Sequence, residues 1–241
     1  MKKTLISAVL AAFAAPAFAA TVTVSGFSAP SYDTAVGSMG SAVTQNFESF
    51  SEGNVAGSFA TNVGTFSSLG EQGSGATVNG AGFVNDGTRL AIRDGNVFGR
   101  VSTTPTLSGN AADNLFLDSN DTHGIVWHVM LAGQRMFDRL VFTITDAAEF
   151  GNTLRITTDH GTTNVASAGG SLQRLVEIDF GQQVSEAKIT LGHFRGDTPS
   201  TNDGFSIDDI AVSEVPLPAS ALLLLGGLGG LAALRRRKAG A

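Results

Sequence analysis

Arg139-Leu-Val-Phe-Thr-Ile-Thr145 is the run that decides the fold. Leu140, Phe142 and Ile144 alternate with Val141, Thr143 and Thr145, and a period of two puts the first set on one face of a strand and the second on the other. Similar β-prone runs lie on both sides: Thr21 to Val24, Val43 to Phe50, Ser58 to Phe66, Thr88 to Ile92, Val97 to Thr103, Gly124 to Met130, Thr153 to Thr158, Gln173 to Phe180, Ala187 to Leu191 and Gly204 to Val212. Clusters of Gly, Asn, Asp and Ser separate them. No amphipathic helix of ordinary length is predicted before the C-terminal tail, and strand boundaries are least sharply marked between Gly64 and Asn85. The expected fold is all-β, a jelly-roll-like β-sandwich over residues 20–214 in one domain.

Charge narrows the function classes. All 21 acidic residues lie between Ala20 and Glu214, against nine of the 15 basic ones, so this region carries a net −12. Such a surface repels phosphate backbones and anionic headgroups, and Lys188 is its single lysine; no nucleic-acid partner is expected. The chain has no cysteine, so stability must come from an apolar core, with or without a metal.

The two ends read as addresses. Residues 1–19 have Lys2 and Lys3 ahead of an apolar run from Leu5 to Ala15, then Ala17-Phe-Ala19, an A-x-A signal that predicts cleavage by signal peptidase and a mature start at Ala20. Residues 215–241 read VPLPASALLLLGGLGGLAALRRRKAGA. Ala219 to Leu234 is 16 uncharged residues, about 24 Å as a helix, a short span for a hydrocarbon core of about 30 Å. Arg235, Arg236, Arg237 and Lys238 follow at once and favour the cytoplasmic side, which puts the preceding domain across the membrane.

A Pro-containing signature, an apolar helix and an Arg-rich end, in that order, resemble the sorting signal of the PEP-CTERM class, in its VPLPA-CTERM variant. The signature residues are Val215, Pro216, Leu217, Pro218 and Ala219. The resemblance covers 27 of 241 residues and concerns sorting. It implies export across the inner membrane of a Gram-negative bacterium, transient anchoring through the C-terminal helix, and recognition by an exosortase that removes the tail, leaving the protein at the cell surface or outside the cell. Asn46-Phe-Glu-Ser-Phe50, Val63-Gly-Thr-Phe66, Leu117-Asp-Ser-Asn-Asp121, Thr145-Asp-Ala-Ala-Glu-Phe-Gly151 and Asp203-Gly-Phe-Ser-Ile-Asp-Asp-Ile210 are similar to exported domains that carry this tail, and imply a lectin-like jelly roll.

Enzymatic strings are incomplete. Glu177-Ile-Asp179-Phe resembles the strand of retaining jelly-roll β-glucanases, in which two glutamates about 5 Å apart act as nucleophile and acid/base. Here Gly181, Gln182 and Gln183 stand where the second glutamate is needed, and an amide neither protonates a leaving group nor activates water. Glu177 and Asp179 are expected to face outward, with Val176, Ile178 and Phe180 in the core. His123, His128, His160 and His193 lack the H-E-x-x-H spacing of a zinc site, and no G-x-S-x-G elbow, P-loop or dinucleotide fingerprint occurs.

Calcium is the one metal with candidate ligands, because it takes carboxylate and carbonyl oxygens from several loops. Asp118, Asn120 and Asp121 form one cluster and Asp203, Asp208 and Asp209 the other. The first lacks an EF-hand's closing Glu. Resemblance to carbohydrate-binding jelly rolls implies a structural calcium joining the first and last strands, held by Glu48 with Asp208 or Asp209. The functional expectation is a non-enzymatic exported surface or matrix protein, in adhesion or biofilm. The alternative is a carbohydrate-binding module partnered with extracellular polysaccharide, for which Trp127 and Tyr32 are the only Trp and Tyr in the chain.

Overall fold

A computed structural model of the chain describes residues 20–55, 57–69, 89–120, 122–147, 152–158, 161–165, 172–199 and 204–215. In chain order the described strands are β1 (Thr21–Gly26), β2 (Ala42–Gln45), β3 (Gly53–Asn54), β4 (Phe59–Thr61), β5 (Gly64–Ser68), β6 (Ala91–Asp94), β7 (Leu115–Asp118), β8 (Gly124–Val129), β9 (Phe137–Thr145), β10 (Thr153–Thr158), β11 (Gly161–Val165), β12 (Gln173–Val184), β13 (Ala187–Arg195), β14 (Thr198–Pro199) and β15 (Ser206–Ser213). Two helices accompany them, α1 (Ala29–Gly37) and α2 (Thr104–Ser108).

The strands form two antiparallel sheets. One runs β1-β12-β9-β15-β7-β6-β3, with β2 also paired to β15; the other runs β11-β10-β13-β8-β5-β4, with β14 on β13. From β7 onward the chain keeps changing sheet, β8 to β9 to β10 and β12 to β13 to β15, which is the crossing habit of the expected jelly-roll-like sandwich. Leu140, Phe142 and Ile144 point into the shared core with Val176, Ile178 and Phe180 of β12 and Ile189 and Leu191 of β13. Trp127 sits at its centre, stacked on Phe66 at 5.3 Å and edge-on to Phe142 at 5.9 Å.

The outer face of β9 is buried too, for a reason the alternation does not supply. Helix α1 and the turn that follows it lie across this face, so that Tyr32, Ala35 and Val36 of the helix and Met39 of the turn cover Val141, Leu175 and Ala211. At nine residues the helix is shorter than the ordinary amphipathic helix whose absence is expected from the sequence, and the strand reading leaves it out. The four covering residues recur at i, i+3, i+4 and i+7, the period of one helical face. Ser28 caps the helix: its Oγ accepts from the Ser31 N–H at 3.3 Å, and Ser31 Oγ accepts from the Ser28 N–H at 3.0 Å.

Several boundaries also move. The predicted strand from Val43 to Phe50 stops pairing at Gln45, because Phe47 adopts φ 60 and turns its fully buried ring into the core. Ser58 to Phe66 is a hairpin, β4 and β5, turning at Asn62 and Val63. Val97 to Thr103 is no strand: Val97 bridges only Arg100, and the chain then enters α2. Strands β3, β7, β11 and β14 are additional. Gly64 and Gly124, at φ 120 and φ 142, open β5 and β8; a Cβ would stand 2.0 Å from the His128 carbonyl oxygen or 1.9 Å from that of Leu191.

Candidate functional site

The last strand carries the chemistry. Asp208 opposes Thr143 of β9 and Ala211 opposes Val141, so two residues, Asp209 and Ile210, face the single Phe142. This β-bulge, with Asp209 at φ 45, places Ile207, Ile210 and Val212 in the core and turns both aspartates away from it. Adjacent residues on a regular strand would have pointed to opposite faces.

Both carboxylates meet the short segment that leads into α2. Asp208 Oδ2 accepts from Ser102 Oγ at 2.5 Å, Thr104 Oγ1 at 3.0 Å and the Thr103 N–H at 3.2 Å. Asp209 accepts at Oδ2 from Thr103 Oγ1, 2.5 Å, and at Oδ1 from Thr104 Oγ1, 2.9 Å. Asp208 Oδ1 is buried with no hydrogen-bond partner. Burial and the neighbouring Asp209 charge push the Asp208 carboxyl well above the ordinary range, against the Ser102 and Thr104 hydrogen bonds. Burial also raises Asp209, which its two threonines partly oppose. Tyr32, above the pair on α1, is raised by burial and then by Asp209 and Asp208.

Asp209 opens into a cleft of about 330 Å³ between α1, the end of β2 and α2. Its walls include Tyr32, Gln45, Asn46, Thr104 and Ser108, and no basic residue lines it. A larger cleft of about 460 Å³ lies near Leu131 to Arg135; its one charged lining residue, Arg135, is paired with Glu214 at 2.6 Å.

The residues present do not fit the calcium site expected of Glu48 with Asp208 or Asp209. Three of the four Asp208 and Asp209 oxygens accept N–H or O–H bonds, and Glu48 Oε1 accepts from the Leu115 N–H at 2.8 Å. Calcium takes about six to eight oxygens. Among the described residues no three His, Cys, Asp or Glu converge on one point. Glu48 is raised chiefly by burial, with Asp113 and Asp209 adding to it.

Asp118 is committed elsewhere. It is fully buried between Arg93 Nε, 3.7 Å, and Arg100 Nε, 3.2 Å, while Asn120, at φ 54, donates its N–H to Asp118 Oδ1 at 2.7 Å and accepts from Arg93 Nη2 at 2.8 Å. This cluster ties β6 to the turn after β7.

Glu177 and Asp179 face outward from β12 beside Thr21, Thr23 and Arg139, and Asp179 is 3.6 Å from the Arg139 guanidinium. His193 is buried against Phe205 and His128 is exposed. Trp127 is fully buried and its Nε1 donates to the Val63 carbonyl at 3.0 Å, so the folded protein presents no Trp127 surface to a sugar ring.

Val215, the first residue of the expected signature, is held against the sandwich: its N–H donates to the Met136 carbonyl at 2.9 Å, after the Glu214 N–H donates to the Ser41 carbonyl at 2.8 Å. Pro216, Leu217, Pro218, Ala219, Arg235, Arg236, Arg237, Lys238, Ala17, Ala19, Asp121, His160 and Asp203 lie outside the described residues. Among the described residues no helix is long and apolar enough to cross a membrane.

Ser102, Thr103 and Thr104, which hold the two aspartates, carry no motif that marks them in the sequence. The bulge had a signal, the three-residue spacing of Ile207 and Ile210 in an otherwise alternating strand.

No family model matches the chain, and neither does any curated protein. Among solved structures it is similar to the catalytic domain of GH87 alpha-1,3-glucanase in complex with nigerose, at 13% identity and a TM-score of 0.28, and to an alanine variant of that domain at 12% and 0.27. Each match covers 73% of this chain and 29% of the other, so the chain spans under a third of those structures. At such scores the backbones superpose too poorly to carry a residue's role across.

Proposed function

We propose that this protein is an exported, non-enzymatic component of the cell surface or extracellular matrix, trimmed at its N-terminus by signal peptidase and at its C-terminus by an exosortase, and acting in adhesion or biofilm. The observation that carries this reading is the succession of VPLPA, a 16-residue apolar stretch and RRRK after an acidic, cysteine-free domain. The carboxylates that lie together support a body without hydrolytic machinery. Asp208 and Asp209 are held by hydroxyls from the segment before α2, and Asp179 lies beside Arg139.

Fractionation of the native host with intact-mass measurement tests the reading. The expected product starts at Ala20, lacks the basic end and is found at the surface or in the medium. Untrimmed polypeptide in the cytosol would reject it.

A second reading, a carbohydrate-binding module, draws on the cleft beside Asp209, which combines amide, hydroxyl, carboxylate and phenol groups. Retention of the protein on polysaccharide beads tests it.

A further inference from the structure

We propose that the cleft between α1, β2 and α2 binds one neutral sugar unit of a polysaccharide, with Asp209 receiving two adjacent hydroxyls of the ring; this rests on the carbohydrate-binding reading and gives it a site. The argument begins with the bulge. A non-glycine residue at φ 45 is in a sparsely populated conformation, and here its consequence is to take Asp209 out of strand alternation and into the cleft.

The carboxylate is then fixed without being used up. Each Asp209 oxygen accepts one threonine hydroxyl and retains a second acceptor direction. Two neighbouring acceptors on one rigid plane match two vicinal O–H donors. Gln45 accepts at Oε1 from the Asn62 N–H, 3.4 Å, which assigns its amide NH2 as a donor, and Asn46 and Ser108 on the exposed rim offer both functions. Tyr32 supplies the aromatic wall. Asp209, Gln45 and Thr104 are each nearly buried, so the floor is set before any ligand arrives.

Charge selects among sugars. Asp209 is backed by Asp208, and Glu48 lies near enough to feel its charge, with no basic lining residue. Uronates and sulfated sugars would be repelled. The volume, about 330 Å³, is at the small end of ligand pockets and suits a single ring with its neighbours in the chain left in solvent.

The test is binding of the full-length protein, in detergent, to immobilised neutral glucans, mannans and galactans, with polygalacturonate as the anionic control. Neutral polymer should bind at least tenfold more tightly than polygalacturonate, with glucose, mannose or galactose competing. Asp209→Asn and the rim variant Asn46→Ala should each weaken binding tenfold or more, the second with an unchanged melting temperature. Binding that survives both variants would overturn the site and leave the carbohydrate reading standing. Absence of binding to every neutral polymer would overturn both. Binding abolished by chelator, or displaced by alkylammonium and not by sugar, would overturn the metal-free, neutral assignment.

Discussion

Asp208 and Asp209 are sequence neighbours whose carboxylates share one hydroxyl, Thr104 Oγ1, which lies 3.0 Å from the first and 2.9 Å from the second. Two like charges are thereby held together in a buried place, and the fold compensates with hydroxyls and one backbone N–H instead of a cation.

That arrangement predicts a pH dependence with a definite sign. Both carboxyls are raised in the folded state, so folding favours proton uptake. Their contribution is fully present below the ordinary aspartate value of about 4 and is lost as pH rises through the folded values. Asp208→Asn removes the charge while keeping an acceptor for Thr103 and placing an NH2 where Oδ1 has no partner. The variant should melt higher than wild type at pH 8, with the difference shrinking steadily toward pH 4. A difference that does not change between those limits would show that the pair does not titrate with folding.

Asp118 makes the opposite prediction about removal of charge. It stands between two guanidiniums in a place closed to water, and truncating one member of a buried ion cluster leaves the others uncompensated. Asp118→Ala should cost on the order of 3–5 kcal/mol, read as the shift in denaturant midpoint at constant slope. The surface pair Arg139 and Asp179 is the control, where Asp179→Ala should change stability by less than about 1 kcal/mol.

Helix α1 depends on its cap more than most helices do, because it is nine residues long and too short to persist without tertiary support. Ser28→Ala removes the acceptor of the Ser31 N–H and should destabilise by about 1 kcal/mol. Ser31→Glu should be tolerated, since a longer acceptor at that position completes the same capping box. Because α1 roofs the Asp208 and Asp209 pair through Tyr32, amide exchange should speed up in Ala29–Gly37 in the Ser28→Ala variant and leave β8 and β13 protected.

The sandwich was legible wherever one face of a strand met the core. Leu140, Phe142 and Ile144 are enough to orient β9, and Val176, Ile178 and Phe180 to orient β12. What escaped was set by tertiary covering and by isolated backbone angles. Tyr32, Ala35, Val36 and Met39 have helical spacing, but with so few turns the pattern competes poorly against a strand-rich background. Phe47 at φ 60 ends a strand that propensity would have continued. The candidate site was half visible: Asp208 and Asp209 stand out as a charged pair, whereas a serine and two threonines from more than a hundred positions away reveal themselves only once the bulge has turned the aspartates outward.

Trp127 gives the sharpest check on the core. It is the only tryptophan in the chain, fully buried, stacked on Phe66 and bonded through Nε1 to the Val63 carbonyl. Its emission should therefore be blue-shifted and nearly immune to iodide, then shift red and become quenchable in one cooperative transition on unfolding. Trp127→Phe removes ring volume and leaves the Val63 carbonyl without its donor, two costs that together come to about 2–4 kcal/mol. Sugar binding at the Asp209 cleft must be unaffected in the folded variant, because Trp127 lies between the sheets and α1 lies outside them. Prompt quenching of Trp127 in the native protein, or loss of sugar binding in a stably folded Trp127→Phe, would contradict a core in which this ring serves only packing.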